Sequence, residues 1–350
     1  YAAPKIKILE LSDGDSSQLI TNALQESIDA PFDLFNGPLI KVLLIRLAGN
    51  KSILAVCASH LIIDGWSLEK IMEEICGYYT SISQGRYYDA PDLPTLSDYF
   101  EEIDKREQSG EMDAARDFWL SRYETIPPVL ELPRDYSRPS LKTYRGERFE
   151  HLIEGDNVQK LRSIAGKNKS TLFVTLLSAF YLLLNRLGGE DDIVVGIPAA
   201  GQPNNGLTRL CTHMVSFLPM RIQMQATDSF EQFLLQVNDE FLEAKEYQDI
   251  SFGELLKSIS VPRDPSRLPL LSASFNMDMP YNELVFGGQK SVFKTTPRSF
   301  VKYDLLFNMT DMGSHFALEV DFNSDLYRRE SVDGWVLLFE NILNSIALEE

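Results

Sequence analysis

Residues 57–67, CASHLIIDGWS, combine an imidazole, a carboxylate and a turn glycine within one short stretch. The apolar residues before them predict a buried strand with His60 at its mouth. Asp64 and Gly65 follow as a turn, and a helical pattern begins directly afterwards. This spacing places an imidazole beside a helix N-terminus, where free backbone N–H groups stabilise negative charge.

Such a corner suits acyl transfer. His60 can accept a proton from an attacking amine or alcohol, and a backbone N–H near Gly65 can hold a developing oxyanion. Asp64 would fix the turn or pair with an arginine. Because side chains alternate along a strand, Ser59 and His60 should point in opposite directions, which argues against a serine–histidine nucleophile pair. The alternative is a core histidine at a strand end, and the residues alone leave both interpretations open.

The remaining histidines and the cysteines give weaker signals. His213 follows Cys211 by two positions, but a single C-x-H is a poor metal site. His151 and His315 lie in alternating strand patterns. The three cysteines are far apart and odd in number, so neither a disulfide framework nor a zinc spacing is predicted.

Length and composition bound the function. A chain of 350 residues, 44% of them hydrophobic, can bury a large core, and we expect two subdomains. A net charge of −18 without a basic stripe argues against nucleic acid as a partner. No signal peptide and no apolar run of membrane-spanning length is visible, so the predicted location is the cytoplasm.

Short apolar strands alternate with amphipathic helices, which predicts an α/β fold with mixed sheets flanked by helices. The segment 126–139 holds four prolines and is predicted to link an N-terminal subdomain, 1–125, to a C-terminal subdomain, 140–350. Ser67 is predicted as the N-cap of a helix over 68–79. Strands are further predicted over 39–48, 52–59, 145–153, 192–197, 270–277 and 315–321, and helices over 113–123, 158–167, 171–187, 229–245 and 330–343.

Residues 59–67 resemble the HHxxxDG motif of the condensation domains of nonribosomal peptide synthetases. The resemblance extends in order over essentially all 350 residues. It includes similarities to the family's YxDYAxW, inter-subdomain, long-helix, FVNTLPLR, HQDYPFE and RDxSRNPL segments, at residues 96–99, 130–139, 171–201, 214–221, 247–252 and 263–270.

The resemblance implies a chloramphenicol-acetyltransferase-like fold, with two subdomains in a V and a tunnel between them. It implies an acyltransferase-type enzyme of secondary metabolism that joins a donor acyl or peptidyl thioester to the amine of an acceptor aminoacyl thioester. Donor and acceptor carrier proteins would deliver these substrates on phosphopantetheine, next to neighbouring synthetase domains. No intrinsic cofactor and no metal are expected.

The same resemblance implies residue roles. His60 matches the catalytic histidine, and Gly65 matches the glycine near the reacting carbonyl. Structural positions near the site are Ser59, Asp64, Trp66 and Ser67. An acceptor pocket is expected to include Ser216, Ser274, Asn276 and Met309.

Several positions depart from the family pattern. Ser59 replaces the first histidine of the motif, and we expect activity to survive because that position faces away from the reacting groups. A serine there also occurs in macrocyclising fungal domains. Gln202 stands where an arginine is common, which predicts a missing ion pair, and Ser216 replaces an asparagine. The family's opening helix and RHExLRT motif are absent, so the first subdomain is expected to be truncated. A recruitment module without catalysis and a macrocyclising, ester-forming variant remain alternatives.

Overall fold

The computed structural model describes residues 4–12, 17–155, 157–202, 206–294, 296 and 298–348, and for Glu111 it describes the backbone alone. Within these residues, helices accompany a six-stranded, a three-stranded and a two-stranded sheet. The two larger sheets each contain parallel and antiparallel pairs. The predicted α/β class with mixed sheets is confirmed.

In chain order, the elements of the described residues are β1 (Ile6–Glu10), α1 (Ser17–Asp29), β2 (Ile40–Leu47), β3 (Lys51–Ala58), α2 (Gly65–Ser83), α3 (Leu96–Gln108), α4 (Glu111–Arg122), β4 (Gly146–Ile153), α5 (Asn157–Lys167), α6 (Leu172–Gly188), β5 (Asp192–Ala199), β6 (Ser216–Gln223), α7 (Phe230–Glu246), α8 (Phe252–Ser258), β7 (Ala273–Asp278), β8 (Val285–Phe286), β9 (Gln289–Lys290), β10 (Leu305–Asp311), β11 (Phe316–Asn323) and α9 (Arg329–Leu348).

The chain divides into two compact units, and each unit is built from more than one stretch of the sequence. Unit 1 contains 1–99, 200–215 and 281–297, and unit 2 contains the rest of the chain. This division differs from a single boundary at 126–139, because two connections from the second half of the sequence belong to unit 1. The connection 200–215 leaves β5 and returns to β6, the antiparallel neighbour of β5.

Unit 1 contains the three-stranded sheet β1-β2-β3, followed in the chain by α2. Strands β2 and β3 form a hairpin whose turn holds Gly49 and Asn50 at positive φ, 72° and 61°. These conformations suit a glycine and an asparagine. Strand β3 ends at Ala58, so Ser59 and His60 lie just beyond it.

Unit 2 contains the six-stranded sheet, with the order β4-β11-β10-β7-β5-β6. Helix α6 packs inside this unit, and nearly all of its residues from 174 to 184 are buried. Its N-cap Thr171 accepts a hydrogen bond from the Val174 N–H at 3.2 Å, and it ends before Gly189, whose φ is 76°. The predicted helix over 171–187 is confirmed to within one residue.

Aromatic rings form the centre of the unit 2 core. Phe180 of α6 lies 5.3 Å from Phe275 of β7 and 5.0 Å from Phe307 of β10, measured between ring centroids. Phe307 also meets Phe339 of α9 at 5.4 Å. All four side chains are fully buried. The opposite face of the same sheet carries polar residues, among them Asn276 and Asn308, which are partners in the β7–β10 register.

Several elements lie outside the sequence-based prediction. Helices α1 and α3 contain no buried residue in the structure, although apolar residues recur at helical spacing in α3, at Leu96, Tyr99, Phe100 and Ile103. Helix α8 has seven residues and one buried side chain. Strand β10 interrupts its apolar residues with asparagine, threonine and aspartate. In α8 and β10 the apolar pattern is too short or too interrupted to predict the element.

Over the part of the chain that the structure describes, no single helix is both long and apolar enough to cross a membrane. Helices α5 and α6 pass that test only as a pair, bent by 105°.

The aromatic cluster predicts the effect of a cavity. We expect Phe307→Ala to destabilise unit 2 by about 3–5 kcal/mol, because the removed ring leaves an unfilled space between Phe180 and Phe339. Urea unfolding followed by tryptophan fluorescence measures the loss. Leu337→Ala on α9 is the matched control, since Leu337 is 55% exposed and should lose little. Equal effects of the two substitutions would contradict this description of the core.

Candidate active site

The first turn of α2 is organised by a buried carboxylate. Asp64 is the N-cap of this helix, in extended backbone conformation, and its Oδ1 accepts the Ser67 N–H at 2.9 Å. Its Oδ2 accepts the Met214 N–H at 3.0 Å and the Gln202 side-chain amide at 2.9 Å. The prediction that Ser67 is the N-cap is therefore wrong: the helix begins three residues earlier because the carboxylate takes the orphan N–H groups.

The same hydrogen bonds keep Asp64 ionised. Burial of this side chain, which is 3% exposed, opposes the charged form. Hydrogen bonds from the Met214 N–H, the Gln202 amide and Ser67 outweigh burial, and the pKa of Asp64 is lowered below the ordinary value of 3.8. Gln202 provides a neutral donor where the family pattern has an arginine, so a hydrogen bond stands in place of the ion pair. The other polar atom of the Gln202 side chain, Oε1, is buried and has no partner among the described residues.

The connection 200–215 supplies most of the partners of this turn. The Ser67 hydroxyl lies 2.7 Å from the carbonyl oxygen of Thr212 and accepts the Thr212 N–H at 3.1 Å. Trp66 donates its indole N–H to the carbonyl oxygen of Thr208 at 2.8 Å. A Cβ on Gly201 would lie 2.6 Å from the Met214 carbonyl oxygen, so this close approach requires glycine.

His60 is exposed, whereas its neighbour Ser59 is buried. The Ser59 N–H donates to the Leu39 carbonyl oxygen at 2.9 Å, and the Ser59 carbonyl oxygen accepts from Ile62 at 3.1 Å. Ser59 thus closes the end of the β2–β3 hairpin. Its burial beside an exposed His60 agrees with the expectation that the two side chains point in different directions.

The imidazole of His60 meets a second imidazole. The Nδ1 atoms of His60 and His213 lie 3.2 Å apart, and the two rings are nearly perpendicular, with centroids 5.0 Å apart. No hydrogen bond from a described residue reaches Nε2 of His60, which leaves this atom available for proton transfer. The sequence marks His213 only as a poor metal-ligand candidate, and nothing in its local pattern predicts this contact.

Gly65 is the first residue of α2 and is exposed. A Cβ built on it would meet no atom within 4 Å. Within the described chain, the N–H groups of Gly65 and Trp66 have no acceptor. The helix therefore presents unpaired donors next to open space, which is the arrangement that binds anions and developing oxyanions.

The four residues expected to form an acceptor pocket belong to unit 2, and they differ in burial and in the face of the sheet on which they lie. Ser274 is buried and donates to the Gly196 carbonyl oxygen at 2.7 Å, and Asn276 lies two positions further on the same face of β7. Ser216 is half-buried at the start of β6. Met309 is fully buried in the apolar core.

Met309 is a correction to the predicted pocket. Its neighbour in the chain, Asn308, pairs with Asn276 in the β7–β10 register and shares the polar face, so Met309 points to the opposite, helix-covered face. It therefore cannot contact a ligand at the polar face.

In the described ranges, no group of three or more histidine, cysteine, aspartate or glutamate side chains could hold a metal ion. The three cysteines, Cys57, Cys76 and Cys211, are free thiols.

The family model for the condensation domain matches residues 1–349, and the chain belongs to this family. It is 31% identical over 326 residues to one of the plipastatin synthase proteins of Bacillus subtilis (strain 168), covering 90% of this chain and 12% of the relative. It is 30% identical over 350 residues to tyrocidine synthase 2 of Brevibacillus parabrevis, covering 98% of this chain and 9% of the relative. The chain thus spans about a tenth of the length of these curated relatives.

Solved structures support the fold. The structure of holo-AB3403, a four-domain nonribosomal peptide synthetase bound to AMP and glycine, matches with a TM-score of 0.86 at 21% identity, over 99% of this chain and 27% of the other. The X-domain from teicoplanin biosynthesis matches with a TM-score of 0.86 at 18% identity, over 99% and 79% of the two chains. The predicted chloramphenicol-acetyltransferase-like fold is confirmed. Condensation domains are acyltransferase-type enzymes that form amide bonds, and they work with carrier domains that hold phosphopantetheine.

The Asp64 network predicts a stability effect. Asp64→Asn places an NH₂ group among donors that all need an acceptor, so we expect a loss of about 3 kcal/mol in the free energy of unfolding near neutral pH. Urea unfolding measures it. Asp113→Asn is the control, because the Asp113 side chain is 70% exposed and should change little.

The lowered pKa of Asp64 also predicts how the stability difference between wild type and Asp64→Asn depends on pH. A carboxylate with a lowered pKa stabilises the fold fully above its unfolded value of 3.8, and this contribution is lost as the pH falls through the lower folded value. The stability gap between wild type and Asp64→Asn should therefore stay constant from neutral pH down to about pH 5 and narrow below 3.8. A gap that closes as the pH rises would contradict the ionised state of Asp64.

Proposed function

We propose that the chain forms an amide bond between a donor acyl or peptidyl thioester and the amine of an acceptor aminoacyl thioester, each held on the phosphopantetheine of a carrier protein. Membership of the condensation domain family supports this function, as do relatives named as peptide synthases. The observation that carries it is the exposed His60 imidazole, with Nε2 unengaged by the described residues, at the corner where α2 presents free N–H groups.

The two substrates, His60 and Gly65 account for every bond and proton in the reaction. The acceptor amine nitrogen attacks the thioester carbonyl carbon, the new C–N bond forms, and one amine proton passes to His60 Nε2. The N–H of Gly65 stabilises the negative charge that develops on the carbonyl oxygen. Collapse of the intermediate breaks the C–S bond, the electron pair leaves on sulfur, and His60 returns the proton to the departing thiolate.

The demands on His60 are modest. A thioester is already activated, and an α-amine with a pKa of about 8 is partly neutral near pH 7. Holding two tethered substrates in contact supplies much of the rate. An alcohol acceptor keeps its proton until late in the attack and depends more strongly on a base.

The test of the function is product formation with and without His60. A carrier protein loaded with a panel of acyl and aminoacyl donors is mixed with a carrier loaded with each proteinogenic amino acid or with the corresponding α-hydroxy acid, and mass spectrometry detects amides and esters. We expect His60→Ala to lower the rate by about 10²-fold or more for hydroxy-acid acceptors, and by less for amino-acid acceptors. Equal losses for the two acceptors would contradict proton transfer by His60. His315→Ala is the matched control.

The alternatives give different outcomes in the same assay. Carrier binding without product from any pair favours a recruitment module. Esters from hydroxy-acid acceptors, with no amides, favour the ester-forming or macrocyclising variant.

Gly65 provides a second prediction. Gly65→Ala adds a methyl group that meets no protein atom, and alanine suits a helix better than glycine by about 0.5–1 kcal/mol, so the melting temperature should be unchanged or slightly higher. We expect the rate of amide formation to fall at least about tenfold, because the methyl group occupies space that the reacting carbonyl needs. Gly253→Ala, in the first turn of α8, is the matched control. Unchanged activity of Gly65→Ala would exclude close approach of the substrate to this residue.

A further inference from the structure

The contact between His60 and His213 restricts where protons can sit. Two Nδ1 atoms at 3.2 Å form a hydrogen bond only if one of them carries a hydrogen and the other offers a lone pair. In a neutral pair, the ring that donates from Nδ1 has a free lone pair on Nε2. The ring that accepts at Nδ1 carries its hydrogen on Nε2. The two rings therefore take opposite tautomers.

The backbone on both sides of His213 is held in place. Thr212 exchanges hydrogen bonds with the Ser67 hydroxyl, at 2.7 and 3.1 Å, and the Met214 N–H donates to the Asp64 carboxylate at 3.0 Å. His213 thus stands on a backbone anchored to the first turn of α2. The contact with His60 is consequently part of the built site, although both rings are exposed.

We propose that His213 is a positioning residue that accepts the Nδ1–H of His60 and so fixes the tautomer in which His60 Nε2 carries the lone pair. This inference rests on the proposed function. In the opposite tautomer, Nε2 of His60 would carry a hydrogen and could not take a proton from the acceptor amine.

The pair also stabilises the product of that proton transfer. Once Nε2 is protonated, the His60 ring is a cation, and its Nδ1–H donates a charge-assisted hydrogen bond to neutral His213, which is stronger than the bond between neutral rings. His213 itself gains and loses no proton in the cycle.

The experiment combines NMR and kinetics on the intact chain. In protein labelled with ¹⁵N-histidine, long-range ¹H–¹⁵N correlation spectra report which ring nitrogen of His60 carries the hydrogen. We expect the Nδ1–H tautomer in the wild type and a mixture of both tautomers in His213→Ala. His213→Asn should restore the wild-type tautomer, because its Oδ1 can occupy the position of Nδ1 and accept the hydrogen bond.

The kinetic arm uses the donor and acceptor carriers that give amide with the wild type. We expect kcat to fall about tenfold in His213→Ala with KM unchanged, and to recover in His213→Asn. His315→Ala, which removes another imidazole with a near neighbour, serves as control. Circular dichroism melting confirms that each variant folds.

Three results overturn the proposal: an unchanged His60 tautomer in His213→Ala, an unchanged kcat despite a changed tautomer, or a folded His213→Asn that restores neither. The NMR arm needs no substrate and is read independently of catalysis. If the wild type makes no amide from any pair while the tautomer is fixed and then lost in His213→Ala, the proposed function fails and the His60–His213 hydrogen bond stands.

Discussion

The ionised carboxylate of Asp64 is the interaction on which the candidate site depends. It joins two parts of the sequence that are far apart, the first turn of α2 and the connection 200–215, through hydrogen bonds from Ser67, Gln202 and Met214. A buried charge is tolerated only when its lone pairs are satisfied, and here neutral donors satisfy them. The buried hydrogen bonds of Asp64 hold the backbone segments that carry the exposed residues His60, Gly65 and His213.

The site separates structural from chemical demands. Asp64 and Ser67 are buried and make their hydrogen bonds within the protein, whereas His60 and Gly65 are exposed with unpaired groups. The groups that would meet a substrate therefore need not contribute to folding. This division fits a reaction on an activated thioester, in which placement of the two substrates matters more than the strength of a base.

The sequence alone predicts the parts of this arrangement that are local. The spacing of His60, Asp64 and Gly65 along one turn indicates their common corner, and the apolar run of α6 indicates a core helix. The sequence pattern wrongly predicts Ser67 as the N-cap of α2. Asp64 and Ser67 are both good N-cap residues, and only the hydrogen-bond partners in the connection 200–215 decide between them. Met309 fails for a similar reason: whether it or Asn308 faces the polar side depends on the strand register.

His213 illustrates the limit of such prediction. Its contact with His60 joins positions separated by 153 residues. The connection that carries it, 200–215, runs between antiparallel neighbours that a short hairpin loop could join, and a connection much longer than the usual two to five or so residues often has a function. The unusual length of this connection can be recognised only once β5 and β6 are known to pair. Gln202 is visible in the sequence as a departure, but its compensating hydrogen bonds are visible only in three dimensions.

The neutral donors around Asp64 also set how the site responds to electrolytes. Partly exposed ion pairs such as Arg209–Glu74, whose side chains are 48% and 24% exposed, weaken as dissolved ions screen their attraction. The Asp64 carboxylate has no cationic partner to be screened among the described residues, and it is shielded from water. The hydrogen bonds beneath His60 should therefore persist at ionic strengths that weaken the exposed ion pairs, so salt affects the encounter with charged partners before it affects the candidate site.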